Sequence, residues 1–298
     1  MNFIEEFKYS FKEKNNFNVL IYINLIIFII VQLIKVILFL QGKTNIEFIQ
    51  YLAVPANVLS LKIFPWTVFT YMFTHESFLH ILFNLLAFYW FGKLFLQYLS
   101  QKQILGVYIL GGLVGAIFYI VAFNFFPAFS LIKNVSLALG ASASVMAVIF
   151  AIAVLTPNQE IYLMFFGKIK LKYLALIVVL VDILSIPTGN AGGHIAHLGG
   201  AFLGAMFTIL YKRNIDITSF ITKSINWIKN LLISEPVVKG KANNKNINYS
   251  KKETDWTYNA RKHAEQEEIN KILDKVSKSG YDSLSSSEKD NLFKQSKK

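Results

Sequence analysis

The stretch LGASASVMAV, residues 139–148, carries two serines within an apolar segment that runs over residues 137–156. Since a helix needs about 20 mostly apolar residues to cross the hydrocarbon core, this segment predicts a transmembrane helix. Gly140 is small, and the alanines at positions 143, 147 and 151 would form a narrow face that another helix can approach closely. The stretch therefore predicts a closely packed helix that carries hydroxyl groups.

The composition of the whole chain indicates a membrane protein. Of its 298 residues 54% are hydrophobic, and the net charge is +12. We attribute the positive charge to lysines and arginines retained on the cytoplasmic side of a bilayer, not to nucleic-acid binding. The absence of cysteine excludes disulfides, thiolate metal sites and a cysteine nucleophile. The first apolar run, residues 19–40, is too long for a signal-peptide core and lacks a small-residue cleavage site, so it predicts an anchor.

The apolar segments predict an all-α, polytopic membrane protein built as a bundle of six transmembrane helices with a small helical tail. The predicted spans are residues 18–38, 78–97, 103–124, 137–156, 171–187 and 194–212. Residues 44–74 are also apolar, but Pro55 and Pro65 interrupt them. We expect irregular or interfacial structure there, packed against protein, because broken backbone is not tolerated against lipid.

Basic residues predict the orientation of these spans. With the N-terminus inside, the inner segments hold most of them, at Lys8, Lys12, Lys14, Lys93, Lys102, Lys168, Lys170, Lys172, Lys212 and Arg213. The outer segments hold only Lys35, Lys43, Lys62 and Lys133. We therefore predict a multi-pass protein of the cell (inner) membrane with both termini in the cytoplasm.

Four segments follow from this topology. Residues 1–17 are a cytoplasmic N-terminal segment, predicted to form an interfacial helix with Phe3, Ile4, Phe7 and Phe11 on one face. Residues 18–212 form the six-span domain, and residues 213–252 form an amphipathic piece and a linker. Residues 253–298 form a helical cytoplasmic tail whose apolar spacing is at Ile269, Ile272, Leu273 and Val276, with Gly280 as a stop and a capping box at Ser285 and Glu288.

The topology brings polar side chains from three spans to one depth, just below the outer surface. They are His80 and Asn84 in span 2, Ser142 in span 4 and His197 in span 6. A serine needs a neighbouring base to act as a nucleophile, and a histidine can be that base near neutral pH. Backbone N–H groups near the start of span 4, with His80 and Asn84, would stabilise an oxyanion. On span 6, Gly200 and Gly204 have the GxxxG spacing of close helix packing.

Other polar residues have simpler interpretations. Ser144 is expected to donate to a carbonyl one turn earlier, as serines in membrane helices do. We expect His75 and His194 to be polar residues at the lipid interface, and Asp182 in span 5 to make an interhelical hydrogen bond rather than relay protons. The chemical alternative is a zinc site made by His75, His80, His194 and His197. In HESFLH, however, the histidines are one residue too far apart for the zinc-protease HExxH motif.

Three motifs resemble those of the rhomboid intramembrane serine proteases. They are HESFLHILFNLLAFYWFG (residues 75–92), GASAS (140–144) and AHLGGAFLG (196–204), which fall in the family's order and in its spans. The resemblance covers residues 18–212 and is to the bacterial, six-span type with a C-terminal cytoplasmic extension.

The resemblance implies roles for individual residues. It implies that Ser142 is the nucleophile, His197 the base, and His80 and Asn84 the oxyanion-stabilising pair. Gly140, Gly200 and Gly204 support close helix packing, and His75 matches the first histidine of span 2. It also implies a Ser–His dyad without a carboxylate, with no cofactor and no metal, and no aspartate is expected at the depth of the dyad.

The chain departs from the family's pattern at three positions. Ala143 replaces the glycine that often follows the nucleophile, Met146 replaces a tyrosine that stacks on the histidine, and Thr67 replaces an arginine after Trp66. The departures leave the proposed nucleophile and base in place.

The predicted function is intramembrane serine endopeptidase, cleaving single-pass transmembrane protein substrates near the outer membrane face. Its partners are these substrates and the lipid bilayer, not nucleic acid, and the sequence names no partner for the tail. The alternative is a rhomboid-like protein that binds membrane clients without cleaving them. The segment IPTGNAGG, residues 186–193, leads into span 6 and is expected to move as a cap over the site, since it has little bulk.

Overall fold

The computed structural model describes residues 15–43, 46–163 and 167–232, and parts of 269–292. The protein is an all-α membrane bundle. Its main helices are α1 (Asn16–Leu40), α2 (Phe78–Tyr98), α3 (Gln101–Phe125), α4 (Ser142–Leu155), α5 (Leu171–Ser185), α6 (Ala191–Tyr211) and α7 (Ser219–Leu232). The chain divides into a large unit, residues 1–96 and 101–236, and a small unit, residues 97–100 and 237–298.

Five helical segments among the described residues are long and apolar enough to cross a membrane. They are α1, α2, α3, α6 and the segment Leu171–Thr188, which is α5 with the 3-10 turn after it. Helix α4 has 14 residues, so it is about 21 Å long against a hydrocarbon core of about 30 Å. Every residue from Ala143 to Ala153 is buried, so neighbouring helices surround α4. The count of six spans stays a prediction.

The segment between α1 and α2 is irregular, as the two prolines predict. It contains the short helices Ile46–Ile49, Val58–Ile63 and Thr67–Thr70, the 3-10 turn Tyr71–Phe73, and the two-residue strand β1 (Val54–Pro55). Strand β1 pairs antiparallel with β2 (Leu137–Ala138), directly before α4. Ala53, Val54 and Ala56 are fully buried, so the segment packs against protein as expected.

A second small ladder joins α4 to α5. Strand β3 (Glu160–Leu163) pairs antiparallel with β4 (Gly167–Lys170). A further 3-10 turn, Pro127–Phe129, follows α3. The hydrophobicity pattern predicts neither ladder, because two- and four-residue strands leave no periodic signal.

Helix α4 packs backbone to backbone against α6. A β-carbon on Gly204 would lie 2.1 Å from the carbonyl oxygen of Ala147, so only glycine fits there. One turn further along, the Thr208 hydroxyl donates to the carbonyl oxygen of Ala151 at 2.7 Å. The alanine face of α4 therefore meets the small-residue face of α6.

Helix α3 contacts the side chains of the same alanines of α4, through glycines that lie outside the three sequence motifs. A β-carbon on Gly111 would lie 2.3 Å from Cβ of Ala147, and one on Gly115 would lie 2.5 Å from Cβ of Ala143. The spacing of Gly111 and Gly115 is the same GxxxG signal that predicts close packing for span 6. Close packing against both α3 and α6 fixes the position of α4.

Two helix starts differ by about three residues or more from the predicted boundaries, those of α4 and α6. Helix α4 begins at Ser142 rather than at residue 137, because residues 137–138 pair as a strand and Gly140 has a φ of +125° that breaks the helix. Helix α6 begins at Ala191 rather than at 194. Asn190, in the left-handed region, caps it by accepting the Gly193 N–H through its side chain. The predicted cap segment is thus non-α only over residues 186–190.

The small unit contains helix at residues 272–277 and 287–289. The Gly280 N–H donates to the Val276 carbonyl at 2.9 Å with a φ of +77°, which ends the first of these helices. The predicted capping box is confirmed, since the Ser285 N–H donates to Glu288 Oε2 at 2.7 Å and the Glu288 N–H to Ser285 Oγ at 3.3 Å.

Helix α7 covers the predicted amphipathic piece. The predicted N-terminal interfacial helix and the linker from Ser234 to Lys252 lie outside the described residues, and the domain boundaries stay predictions.

Candidate active site

Ser142 is the first residue of α4 and is partly exposed. The chain just before it is fixed by two contacts, in which Gly140 N–H donates to the Tyr71 carbonyl at 2.9 Å and Ala141 N–H to His75 Nε2 at 3.3 Å. Within the described part of the chain, no side chain caps the start of α4. The N–H groups of a first helical turn have no partner within the helix, so those beside Ser142 are available to a negatively charged oxygen.

The ring of His80 lies against the backbone beside Ser142. A β-carbon on Gly140 would lie 2.8 Å from His80 Nε2 and 3.8 Å from Ser142 Oγ. Glycine at position 140 therefore allows α2 to approach the start of α4 closely, and it also permits the positive φ there. On the next turn of α2, Asn84 Nδ2 donates to the His80 carbonyl at 2.9 Å. An amide nitrogen carries two hydrogens, so one of them remains for another acceptor.

A cavity of about 800 Å³ brings these groups together. The predicted site residues that line it are His80 and Asn84 on α2, Gly140 just before α4, Ser142 on α4 and His197 on α6. Met146, one turn after Ser142 on α4, is also in the lining. The arrangement sets a hydroxyl, an imidazole, an amide and free backbone N–H groups around one space.

His197 contacts a carboxylate that the sequence motifs do not include in the site. Its Nδ1 lies 2.9 Å from Oδ1 of Asp182, and Nδ1 of His194 lies 2.8 Å from the same oxygen. The expected interhelical hydrogen bond of Asp182 is present. The expectation that no aspartate lies at the depth of the dyad was wrong.

The positions of Asp182 and His194 in their helices explain why a carboxylate lies beside the histidines. Asp182 lies three residues before the end of α5, and His194 lies three residues after the start of α6. Since a short connector turns the chain between these helices, the two positions fall at the same level. A count of residues on either side of the connector places Asp182 level with His194, but the contact with His197 also depends on how tightly the connector turns.

His75 is fully buried, so the interpretation as a lipid-interface residue was wrong. Its ring packs edge-on against that of His80, with ring centroids 5.0 Å apart. Burial, together with the nearby His80, lowers the pKa of His75 from 6.5 to about 4. The ring is therefore neutral near pH 7 and can accept the Ala141 N–H. His194 is also more than an interfacial residue, because it is bonded to Asp182.

Ser144 is fully buried, and its hydroxyl has no hydrogen-bond partner among the described residues. The expected bond to a carbonyl one turn earlier is absent there. The residue four positions back is Gly140, which lies outside the helix, so its carbonyl is not presented along the helix axis. Ser144 packs against α3, where a β-carbon on Gly112 would lie 2.7 Å from its Oγ.

Among the described residues, the group that could hold a metal ion is Asp182, His194 and His197, with ligand atoms within 4.8 Å of one another. His75 and His80 do not belong to it. The four-histidine zinc site considered from the sequence is thus replaced by a smaller group that includes a carboxylate.

Parts of the chain are similar to known proteins. The profile of the Rhomboid domain matches residues 64–214, and that of a family of unknown function, DUF6576, matches residues 252–298. RHOMBOID-like protein 12, mitochondrial, of Arabidopsis thaliana is 31% identical over 149 residues, which are 47% of this chain and 44% of that protein. Rhomboid protein 1, mitochondrial, of Saccharomyces cerevisiae is 25% identical over 197 residues, which are 65% of this chain and 52% of that protein. The chain spans about half the length of these curated relatives.

Proposed function

This chain belongs to the rhomboid family, and from that premise we propose that it is an intramembrane serine endopeptidase. Membership of the family supports intramembrane proteolysis in general. In the proposal Ser142 is the nucleophile and His197 the general base. The observation that carries it is that both side chains line one cavity, with Ser142 at an uncapped helix start.

The reaction follows the logic of acyl transfer. Ser142 Oγ attacks the carbonyl carbon of the scissile peptide bond while His197 Nε2 takes the hydroxyl proton. His197 then gives this proton to the leaving amine as the C–N bond breaks, which leaves an acyl-enzyme. Water attacks the ester with His197 again as the base, and the carboxylic acid product leaves.

The negative charge of the tetrahedral intermediate needs donors that are already in position. The backbone N–H groups at the start of α4 are such donors, and the side chains of His80 and Asn84 lie on the facing helix. Because Gly140 and Ala141 are tied to Tyr71 and His75, these backbone donors need little reorganisation as the charge develops.

The substrates in this proposal are single-pass transmembrane proteins, cleaved near the outer face of a membrane in which both termini of the chain are cytoplasmic. A substrate helix must unwind locally to present an extended strand to Ser142. Small or helix-breaking residues near the cleavage site lower the cost of this step, because glycine and proline are the poorest helix formers.

The test is cleavage of a model transmembrane substrate by the full chain in proteoliposomes, together with labelling by a fluorophosphonate. Ser142→Ala should abolish both, and Ser144→Ala is the matched control, since it removes a buried hydroxyl two residues away. The double variant Ser142→Ala/His197→Ala should be no less active than either single one, because the pair acts as a unit.

Two results would contradict the proposal. The first is that Ser144, not Ser142, carries the label and the activity. The second is that the folded wild-type chain binds the substrate without cleaving or labelling, and this outcome would support the alternative of a client-binding protein.

A further inference from the structure

One carboxylate oxygen of Asp182 contacts two imidazoles. The contacts run from Oδ1 to Nδ1 of His194 at 2.8 Å and to Nδ1 of His197 at 2.9 Å. The Asp182 side chain is 7% exposed. It reaches the histidines from α5, whereas both of them belong to α6. A carboxylate so far from water is not needed to build two apolar helices, so its contacts call for a functional explanation.

We propose that Asp182 is a positioning residue that holds His197 in the tautomer of a general base. The inference rests on the proposed function. A neutral imidazole has one N–H, and the ring atom that carries it is set by the partner of the other nitrogen. With the proton on Nδ1 and donated to Asp182, Nε2 keeps its lone pair and can accept the proton of Ser142.

The carboxylate also stabilises the charged state of His197 that arises during the reaction. When Nε2 takes the serine proton the ring becomes a cation, and the negative oxygen at Nδ1 offsets that charge. Around a buried site this attraction is stronger than in water. The site thus has a carboxylate–histidine–serine order instead of the dyad that the sequence motifs imply.

His194 supports this arrangement by donating to the same oxygen. Two N–H groups from adjacent turns of α6 approach Oδ1, whereas Oδ2 has no protein partner among the described residues. An unpaired charge in a buried place is costly, and a second donor reduces that cost. His194 therefore helps to keep Asp182 ionised and facing His197.

The distances from Oδ1 of Asp182 to Nδ1 of His194 and of His197 are those of ordinary hydrogen bonds, so no ion is needed to explain them. A metal bound at Nδ1 of His197 would also leave the ring's one proton on Nε2, where it would prevent action as a base. The positioning role and a metal needed for catalysis are therefore exclusive. Treatment of the wild-type chain with a chelator should leave cleavage unchanged, and a loss that added zinc restores would overturn the proposal.

The main experiment measures kcat and KM for wild type and Asp182→Asn in proteoliposomes. We expect kcat to fall by about 10²–10⁴-fold with little change in KM, since the same substitution of the triad aspartate in a serine protease lowers kcat by about 10⁴-fold. In ¹⁵N-histidine-labelled Asp182→Asn the ring proton of His197 should lie on Nε2 instead of Nδ1, which is the wrong tautomer for a base. A purely structural role would leave that proton on Nδ1.

The matched control is Asp216→Asn. Asp216 is a carboxylate at the other end of α6, and its Oδ1 accepts the Thr218 N–H at 2.8 Å. The same chemical change there should leave kcat as in wild type. Asp182→Glu, which keeps the charge, should recover part of the activity. Wild-type kcat in a folded Asp182→Asn would overturn the inference.

A measurement on the unmodified site covers the case in which Asp182→Asn does not fold. In ¹⁵N-histidine-labelled protein, with His197→Ala used for assignment, Nδ1 of His197 should be the protonated nitrogen at neutral pH. Protonation at Nε2 would overturn the proposal. If instead wild type neither cleaves nor labels, the proposed function itself fails, which is a separate result from these.

Discussion

A β-carbon on Gly200 would lie 2.0 Å from the carbonyl oxygen of Ala143. Ala143 directly follows Ser142, and Gly200 lies three residues after His197. A close backbone contact between α4 and α6 therefore lies within one turn of both proposed catalytic residues. Because backbone meets backbone there, the separation of the two helices has little freedom, and with it the separation of nucleophile and base.

This contact predicts the effect of one methyl group. Gly200→Ala should lower the free energy of unfolding by roughly 1–3 kcal/mol, the usual range for overpacking, since a carbonyl oxygen cannot rotate away as a side chain can. It should also lower cleavage, as the helices are forced apart. Thermal unfolding in detergent micelles and substrate cleavage measure the two effects.

The control for Gly200 is Ile209→Val, on the same helix but half exposed at 50%. It should change neither the unfolding midpoint nor the activity appreciably. If Gly200→Ala were as stable and active as this control, the close packing of α4 and α6 would not be what spaces the site.

The sequence was sufficient for the parts of the fold that depend on local composition. Long apolar runs predict helices α1, α2, α3 and α6 to within a few residues. In lipid a segment must hydrogen-bond its own backbone groups, and a helix does this without help from other segments. Small residues at fixed spacing on α4 and α6 likewise predict a close contact, because they let the two backbones approach each other.

The parts that depend on long-range pairing could not be predicted in the same way. The start of α4 is set by the pairing of Leu137–Ala138 with Val54–Pro55, about eighty positions earlier in the chain. The contact of Asp182 with His197 depends on how tightly the α5–α6 connector turns. Each of these is decided by another segment, so neither has a local signal.

Asn84 is predicted to act on the transition state. Asn84→Ala should lower kcat by up to about 10²–10³-fold with little change in KM, because a donor aimed at developing charge contributes little to ground-state binding. The effect is smaller where backbone N–H groups and His80 share the charge. Steady-state kinetics on the transmembrane substrate separate kcat from KM.

Asn124→Ala is a matched control for Asn84. Asn124 Nδ2 donates to a carbonyl four residues back, that of Ile120 at 2.8 Å, just as Asn84 donates to that of His80, and it also donates to the Ala56 carbonyl at 2.8 Å. It does not line the cavity. Equal losses in both variants, or a rise in KM alone for Asn84→Ala, would argue against oxyanion stabilisation.

His75 predicts a pH dependence of stability. Its pKa falls from 6.5 to about 4 on folding, chiefly through burial and then through His80. Between these values the unfolded chain binds a proton that the folded chain does not, so stability is lost as pH falls from 6.5 towards 4. The slope from this group is about 1.4 kcal/mol per pH unit.

The comparison for His75 is the variant His75→Gln, which has no proton to titrate. Its unfolding midpoint should fall less steeply than that of wild type between pH 6.5 and 4, even if the variant is less stable at neutral pH. Parallel curves for the two proteins across this range would show that His75 does not couple protonation to folding.

The connector before α6 predicts how the substrate enters. Gly189 and Asn190 have positive φ values of 125° and 47°. The connector consists of residues 186–190 only, because residues 191–193 of the predicted cap belong to α6. Asn190 lines the cavity together with Leu79 near the start of α2. If the connector moves to admit a substrate helix, a disulfide between Asn190→Cys and Leu79→Cys should slow cleavage, and reductant should restore it.

The two single cysteine variants are clean controls for this crosslink, because the chain has no cysteine of its own. Asn190→Cys alone reports the cost of the lost helix cap, about 0.5–2 kcal/mol, so any slowing that it shares with the crosslinked protein does not come from restrained motion. Full cleavage of the transmembrane substrate by the crosslinked protein would mean that the segment is a static connector and that the substrate reaches Ser142 by another route.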